Sequence, residues 1–264
     1  MIKKIYITIL TFSLLFTLTG CKQSKENKEK NHQLILGTNA VYYPYESINS
    51  EGEAEGFDID MAKAIAKKLN KKLSIKETGF DSLILELKQG KIDIIMSGMS
   101  ITPSRQKEIS MLPYQGEVVQ SLSLAFWRNI PKGIQSLEDI KKHPFPMVSV
   151  QTATFQNDYL DGVEGIQVKS LEGNSELIMD IKYGKSLAAL FEPHIASAMK
   201  EKFPELQFLN IPLEEEDWVL GNGIGIKKEN SLLEEEISTV LEDLKSEGTI
   251  KELESKWFKG ENVQ

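Results

Sequence analysis

Apolar and polar positions follow an ordered pattern from residue 34 onward. Leu34-Ile35-Leu36-Gly37-Thr38 is a short apolar run ending at a glycine, which predicts a buried strand. Residues 39–45 are aromatic and turn-like, and residues 48–56 are rich in Gly, Glu and Ser, a turn region. At Asp58 the period changes. Ile59, Ala62, Ile65, Ala66 and Leu69 fall three and four apart and predict a helix, with Lys63, Lys67 and Lys68 on its wet side. Residues 73–77 return to strand alternation. Phe80, Leu83, Ile84 and Leu87 mark a second helix stopped at Gly90, and residues 92–96 a third, densely apolar strand. Connections of this length imply parallel strands with helices laid over them, and the apolar strands suit a sheet covered on both faces. Thr102 before Pro103 predicts a capped helix start.

The same alternation restarts after Pro131. Residues 118–127 form a longer apolar stretch, a candidate crossing strand. Helical segments at 136–142, 154–160, 171–181 and 193–202 then alternate with strands at 147–150, 166–168, 187–191 and 206–209, which predicts a second α/β lobe. Residues 218–226 are strand-like and glycine-spaced. Leu233, Ile237, Val240, Leu241 and Leu244 mark one helix face, and Ile250, Leu253, Trp257 and Phe258 a last short one. These final elements are expected to return to the first lobe. The predicted organisation is 34–118 plus 217–264 as lobe 1 and 119–216 as lobe 2, joined by two hinge crossings near 117–121 and 212–218.

The first 33 residues break this pattern. Lys3 and Lys4 precede a nearly wholly apolar run over 5–18, shorter than the roughly 20 residues of a spanning helix and fitting a secretory signal over 1–20. It ends in Leu18-Thr19-Gly20-Cys21, which resembles a bacterial lipobox, where the cysteine is acylated and becomes the first mature residue. Residues 21–33 that follow lack the apolar side chains a fold needs and predict a disordered tether. The expectation is a protein of the bacterial cell envelope, on the periplasmic face, anchored to a membrane through a lipid such as palmitate on Cys21. Cys21 is the single cysteine, so no intrachain disulfide supports the fold.

Charge and inventory narrow the function. With 31 basic and 39 acidic side chains the net charge is -8, the wrong sign for a nucleic-acid partner. His32, His143 and His194 are scattered, without a second ligand at metal spacing. No nucleophile elbow, P-loop or dinucleotide fingerprint is present, and Gly221-Asn222-Gly223-Ile224-Gly225 lies inside a strand pattern. Neither an enzyme nor a cofactor is expected. What remains is a set of polar residues at strand ends, where ligands sit in open α/β sheets. Asn39 and Tyr42 follow the first strand, Ser97-Gly98-Met99-Ser100 the third with Arg105 shortly after, and Thr152, Thr154 and Glu192 follow strands of the second lobe. Together they complement a zwitterion. Arg105 and Thr154 suit an α-carboxylate, Glu192 an α-ammonium, and Tyr42 and Phe80 offer flat walls.

On Gly56-Phe57-Asp58-Ile59-Asp60-Met61-Ala62, Phe80-Asp81-Ser82-Leu83-Ile84 and Ser97-Gly98-Met99-Ser100-Ile101-Thr102-Pro103-Ser104-Arg105, the chain resembles the polar amino-acid-binding proteins of ABC importers. The likeness covers essentially all of the mature chain and is nearest to the arginine receptors. It implies a two-lobed type II periplasmic-binding-protein fold, a monomer that delivers its amino acid to ABC permease subunits, and L-arginine as ligand. Glutamine, lysine and histidine stand as alternatives, and a cyclohexadienyl dehydratase-like enzyme as a remoter one. By resemblance, Tyr42 and Phe80 sandwich the ligand side chain, Ser97, Met99 and Ser100 line the first lobe, Arg105, Thr152 and Thr154 hold the carboxylate, and Glu192 accepts from the ammonium. Three positions depart from the pattern: Glu192 stands where many relatives have Asp, Asn39 where basic-amino-acid binders often have a carboxylate, and Tyr43 where the family has Pro.

Overall fold

The computed structural model describes residues 32–258. The predicted signal segment, Cys21 and the tether up to residue 31 lie outside the described residues.

The first run of elements comprises β1 (Gln33–Thr38), β2 (Val41–Tyr42), β3 (Glu46–Ile48), β4 (Ala54–Glu55), α1 (Phe57–Lys68), β5 (Lys72–Glu77), α2 (Leu83–Lys88), β6 (Ile94–Ile95), β7 (Ser100–Ile101), α3 (Pro103–Glu108) and β8 (Ser110–Gln115). The second comprises β9 (Ser121–Trp127), α4 (Leu137–Lys141), β10 (Met147–Gln151), α5 (Phe155–Asp161), β11 (Gln167–Leu171), α6 (Asn174–Lys182), β12 (Ala188–Phe191), α7 (Pro193–Lys202) and β13 (Leu206–Pro212). Then β14 (Leu220–Ile226), α8 (Ser231–Ser246) and α9 (Thr249–Trp257) follow.

All of these strands except β2, β3 and β4 form two separate sheets. One has the order β5-β1-β6-β14-β7, with β8 also paired to β14, and the other the order β11-β10-β12-β9-β13. β1 runs parallel to β5 and β6, whereas β14 is antiparallel to its neighbours. The return of the chain to its first sheet is thus made by β14. Between the sheets two segments lie side by side: Val119 bridges Val219, its N–H donating to the Val219 carbonyl at 2.8 Å, and the Leu213 N–H donates to the Gln120 carbonyl at 2.9 Å.

Helix faces follow the apolar spacing. α1 buries Phe57, Ile59, Met61, Ala62, Ile65 and Ala66, and α8 buries Leu233, Ile237, Val240, Leu241 and Leu244. Apolar residues from β1, α1 and α8 belong to the same buried cluster as Leu177, Ile178, Phe191 and Ile195 of the second run. The two halves are therefore packed against each other.

Local differences from the pattern have physical causes. β8 was not anticipated because Pro113 interrupts it, yet β8 lies at the sheet margin where proline is tolerated. β2, β3 and β4 form a small antiparallel sheet of two- and three-residue strands, too short to carry a period. The helix expected from residue 171 begins at Asn174, because Leu171 completes the ladder opposite Gln151. Of residues 92–96 only Ile94–Ile95 are in the ladder.

Candidate functional site

The strand ends of both sheets converge on one small pocket, lined by residues that include Tyr42, Phe80, Arg105, Thr154, Gln156 and Glu192. Ser97, Gly98, Ser100, Gln151 and Phe155 complete the wall. Of the residues singled out in the sequence, Asn39, Met99 and Thr152 do not line it. Met99 is buried among Leu83, Leu87, Ile92 and Ile101. The Thr152 hydroxyl donates to the Leu171 carbonyl at 3.1 Å. Asn39 lies at the margin, where its side-chain oxygen accepts from Gln151 Nε2 at 3.5 Å.

Arg105 is placed by the start of α3. Thr102 caps that helix, its hydroxyl accepting from the Arg105 N–H at 3.2 Å, and Pro103 pre-sets the first turn. The buried guanidinium donates to the Ser100 carbonyl at 2.7 Å and to the Ala153 carbonyl at 3.1 Å, so one side chain spans both halves of the molecule. Its carbon lies 5.3 Å from the centre of the Phe80 ring, a cation–π distance. Burial lowers the Arg105 pKa to about 10, so the group stays charged at neutral pH.

Glu192 enters from the end of β12 as the first residue before α7. Its side chain makes no cap to that helix and points to the pocket instead. Oε1 accepts from Gln156 Nε2 at 3.0 Å, from the Ser100 hydroxyl at 3.3 Å and from the Tyr42 hydroxyl at 3.4 Å. Burial raises its pKa to about 7, against the pull of Ser100, Arg105, Gln156 and Tyr42 toward the charged form. Arg105 and Glu192 thus present opposite charges to one small enclosure. On the same side, Thr154 caps α5, accepting from the Asn157 N–H at 3.3 Å while donating to the Gln151 carbonyl at 2.8 Å.

The pocket floor is held from beneath. Gly98 has φ +53, and its N–H donates to Asp58 Oδ2 at 2.7 Å. A side chain there would meet the Tyr42 ring at 2.8 Å, so glycine is required both by the left-handed backbone and by the ring above it. The Ser97 hydroxyl donates to Glu46 Oε1 at 3.1 Å and accepts from the Asn39 N–H at 3.0 Å. Tyr114 donates to Asp58 Oδ1 at 2.6 Å. Burial raises the pKa of Asp58 to about 6 and that of Glu46 well above the usual carboxylate range. Tyr42 stacks on Tyr45 with ring centres 5.8 Å apart, which leaves its outer face to the pocket.

Sequence reasoning missed Gln151, Phe155 and Gln156. They flank Thr154, which was singled out, but carry no charge and no special backbone signal. Gln156 makes the shortest hydrogen bond to Glu192, and only the pairing of β10, which leads into α5, with β12 brings them together.

Residues 34–260 match the family of bacterial extracellular solute-binding proteins, family 3. The chain is 42% identical to the probable ABC transporter arginine-binding protein ArtJ of Chlamydia trachomatis, over 97% of this chain and 96% of that one. Among solved structures, an ancestral arginine-binding protein bound to arginine is similar with a TM-score of 0.77 at 31% identity, covering 86% of this chain and 98% of that one. The same kind of ancestral protein bound to glutamine gives 0.76 at 32% identity, with the same coverage. The two-sheet architecture with its paired crossings is that of the type II periplasmic binding proteins.

Proposed function

Because the chain belongs to the bacterial extracellular solute-binding proteins, family 3, a family of transport receptors and not of enzymes, we propose that it captures arginine between two lobes and delivers it to the permease of an ABC importer. The observation that carries this reading is the pairing of Arg105 and Glu192, buried and of opposite charge, on one pocket between the two sheets. An α-amino acid supplies the matching anion and cation. In this reading Arg105, with Thr154 and the N–H groups at the start of α5, holds the carboxylate. Glu192 accepts from the ammonium, and Tyr42 and Phe80 flank the side chain. Ser97, Gly98 and Ser100 form the floor. Asn39 and Thr152 act from the margin through the residues they touch, and Met99 supports the floor from the core beneath. The lobes are 34–118 with 217–264, and 119–216.

Arginine is favoured because a planar guanidinium stacks on aromatic faces better than an ammonium does. Relatives described as arginine-binding support the same choice. Glutamine is the second reading. It is favoured by the neutral Asn39–Gln151 pair at the pocket margin, where a cation would gain from a carboxylate. Competitive calorimetry with arginine, lysine, ornithine, glutamine and histidine on delipidated protein decides between them. Arginine is expected to bind tightest, and glutamine binding equally well would overturn the assignment. We also propose acylation of Cys21 as the membrane anchor. Labelling with a palmitate analogue should mark the wild type and not C21S, and an unlabelled wild type refutes it.

A further inference from the structure

The second oxygen of Glu192 faces away from the three donors described above. Oε2 lies 3.5 Å from Nε2 of His194, two residues along the chain in the first turn of α7. That nitrogen is buried and has no hydrogen-bond partner among the described residues. A buried polar atom without a partner is costly, and a small adjustment of either side chain brings this one to hydrogen-bond length. The local sequence explains the placement. Pro193 occupies the first helical position, Glu192 turns its carboxylate toward the pocket, and His194 brings its ring up behind it. The ring is fixed edge-on against Tyr45, with centres 5.4 Å apart.

We propose that His194 is a positioning residue for the ammonium acceptor, donating Nε2–H to Glu192 Oε2 and so holding the carboxylate charged and oriented toward the ligand. The inference rests on the receptor reading and on Glu192 as the ammonium partner. Burial keeps the imidazole neutral, lowering its pKa to about 4, and the start of a helix also disfavours a cation. A neutral ring carries one proton on one nitrogen. With that proton on Nδ1, a lone pair would face the carboxylate, and with it on Nε2 a donor does. The groups that face Glu192 are Arg105, Tyr42, Ser100 and Gln156, so His194 is the one that acts on its far side. Behind His194 lies a groove along the crossing segment, lined also by Glu117, Val119 and Ser121.

The test compares L-arginine with its desamino counterpart, 5-guanidinopentanoate, by calorimetry on wild type, H194F and H194Q. A hydrogen bond to a charged group corresponds to roughly ten- to a hundredfold in affinity. H194F should lose about that much for L-arginine and less than about threefold for the desamino acid. H194Q keeps a donor and should retain most of the affinity. Equal losses for both ligands, or no loss, overturn the inference, because a merely structural role would not distinguish them. If H194F does not fold, nitrogen-15 NMR of the imidazoles in ligand-bound wild type decides: a proton on Nε2 supports the inference and one on Nδ1 alone overturns it. Should another of lysine, histidine or glutamine bind best, it and its desamino form replace the pair. Wild type binding none of the four overturns the receptor reading together with the inference. Wild type binding the amino acid and its desamino form equally overturns the role of Glu192 and leaves the receptor reading standing.

Discussion

Glu192 is held where its charge is expensive, and replacing it by glutamine should make the ligand-free protein more stable at the pH where it works. Burial moves this carboxyl from 4.5 to about 7. At about 1.4 kcal/mol for each factor of ten, ionising it in the folded protein costs about 3 kcal/mol relative to the unfolded chain. The sign follows from linkage: an acid whose folded pKa is raised contributes stability that is fully present below 4.5 and is lost as pH climbs through about 7. The glutamine amide oxygen can still accept from Gln156, Ser100 and Tyr42, so those three bonds survive the exchange, while the amide N–H faces His194 Nε2, which accepts from it in the other tautomer. E192Q minus wild type should therefore be near zero at pH 4.5 and rise to about 3 kcal/mol by pH 8. Asp58 and Glu46 titrate in both proteins and cancel in the difference. Urea unfolding at several pH values, with ligand removed by denaturation and refolding, reads this directly through midpoints at constant slope. Saturating arginine should reverse the order at pH 8, because it binds only the folded wild type well. A difference that is constant across pH, or a wild type more stable than E192Q at pH 8 without ligand, refutes the reasoning.

R105K keeps the charge but cannot span the Ser100 and Ala153 carbonyls or present a planar face to Phe80. Arginine should bind it roughly ten- to a hundredfold more weakly by calorimetry. Gly173 meets Val41 across the two halves, and a side chain there would stand 2.8 Å from the Val41 Cβ. G173L should hold the ligand-bound form more open in small-angle scattering and speed release, with no change in the pocket walls. Y114F removes the 2.6 Å donor to Asp58. It should cost about 1–3 kcal/mol at pH 8, read by urea unfolding, with Asp58 then titrating above about 6.

The parts of this molecule that were legible in sequence are those set by local repetition. The faces of α1 and α8 are written as residues three and four apart, and α3 as Thr102 followed by Pro103. Individual site residues were visible as polar breaks after apolar strands, which is how Arg105, Thr154 and Glu192 stood out. Contacts set by register were not visible. Asp58 reads as an ordinary acidic residue in a first helical turn, yet it receives the Gly98 N–H from 40 positions away. Met99 sits in the same polar run as Ser97 and Ser100, but after the left-handed bend at Gly98 it packs into the core. Gln156 bears on Glu192 only because α5 and β12 meet at one end of a sheet.

The position of β14 has a consequence in time. Every strand of the second sheet lies between Ser121 and Pro212, so that sheet can be assembled from one contiguous stretch of chain. The first sheet cannot. Its interior strand spans Leu220–Ile226, and without it β6 on one side and β7 and β8 on the other have no common neighbour. During synthesis the amino-terminal strands of this sheet therefore wait as three unjoined pieces, the β5-β1-β6 ladder, β7 and β8, until nearly all of the chain has left the ribosome. A polypeptide that must be threaded through a membrane before it folds gains from such a delay, since the half that enters first is the half that cannot close early.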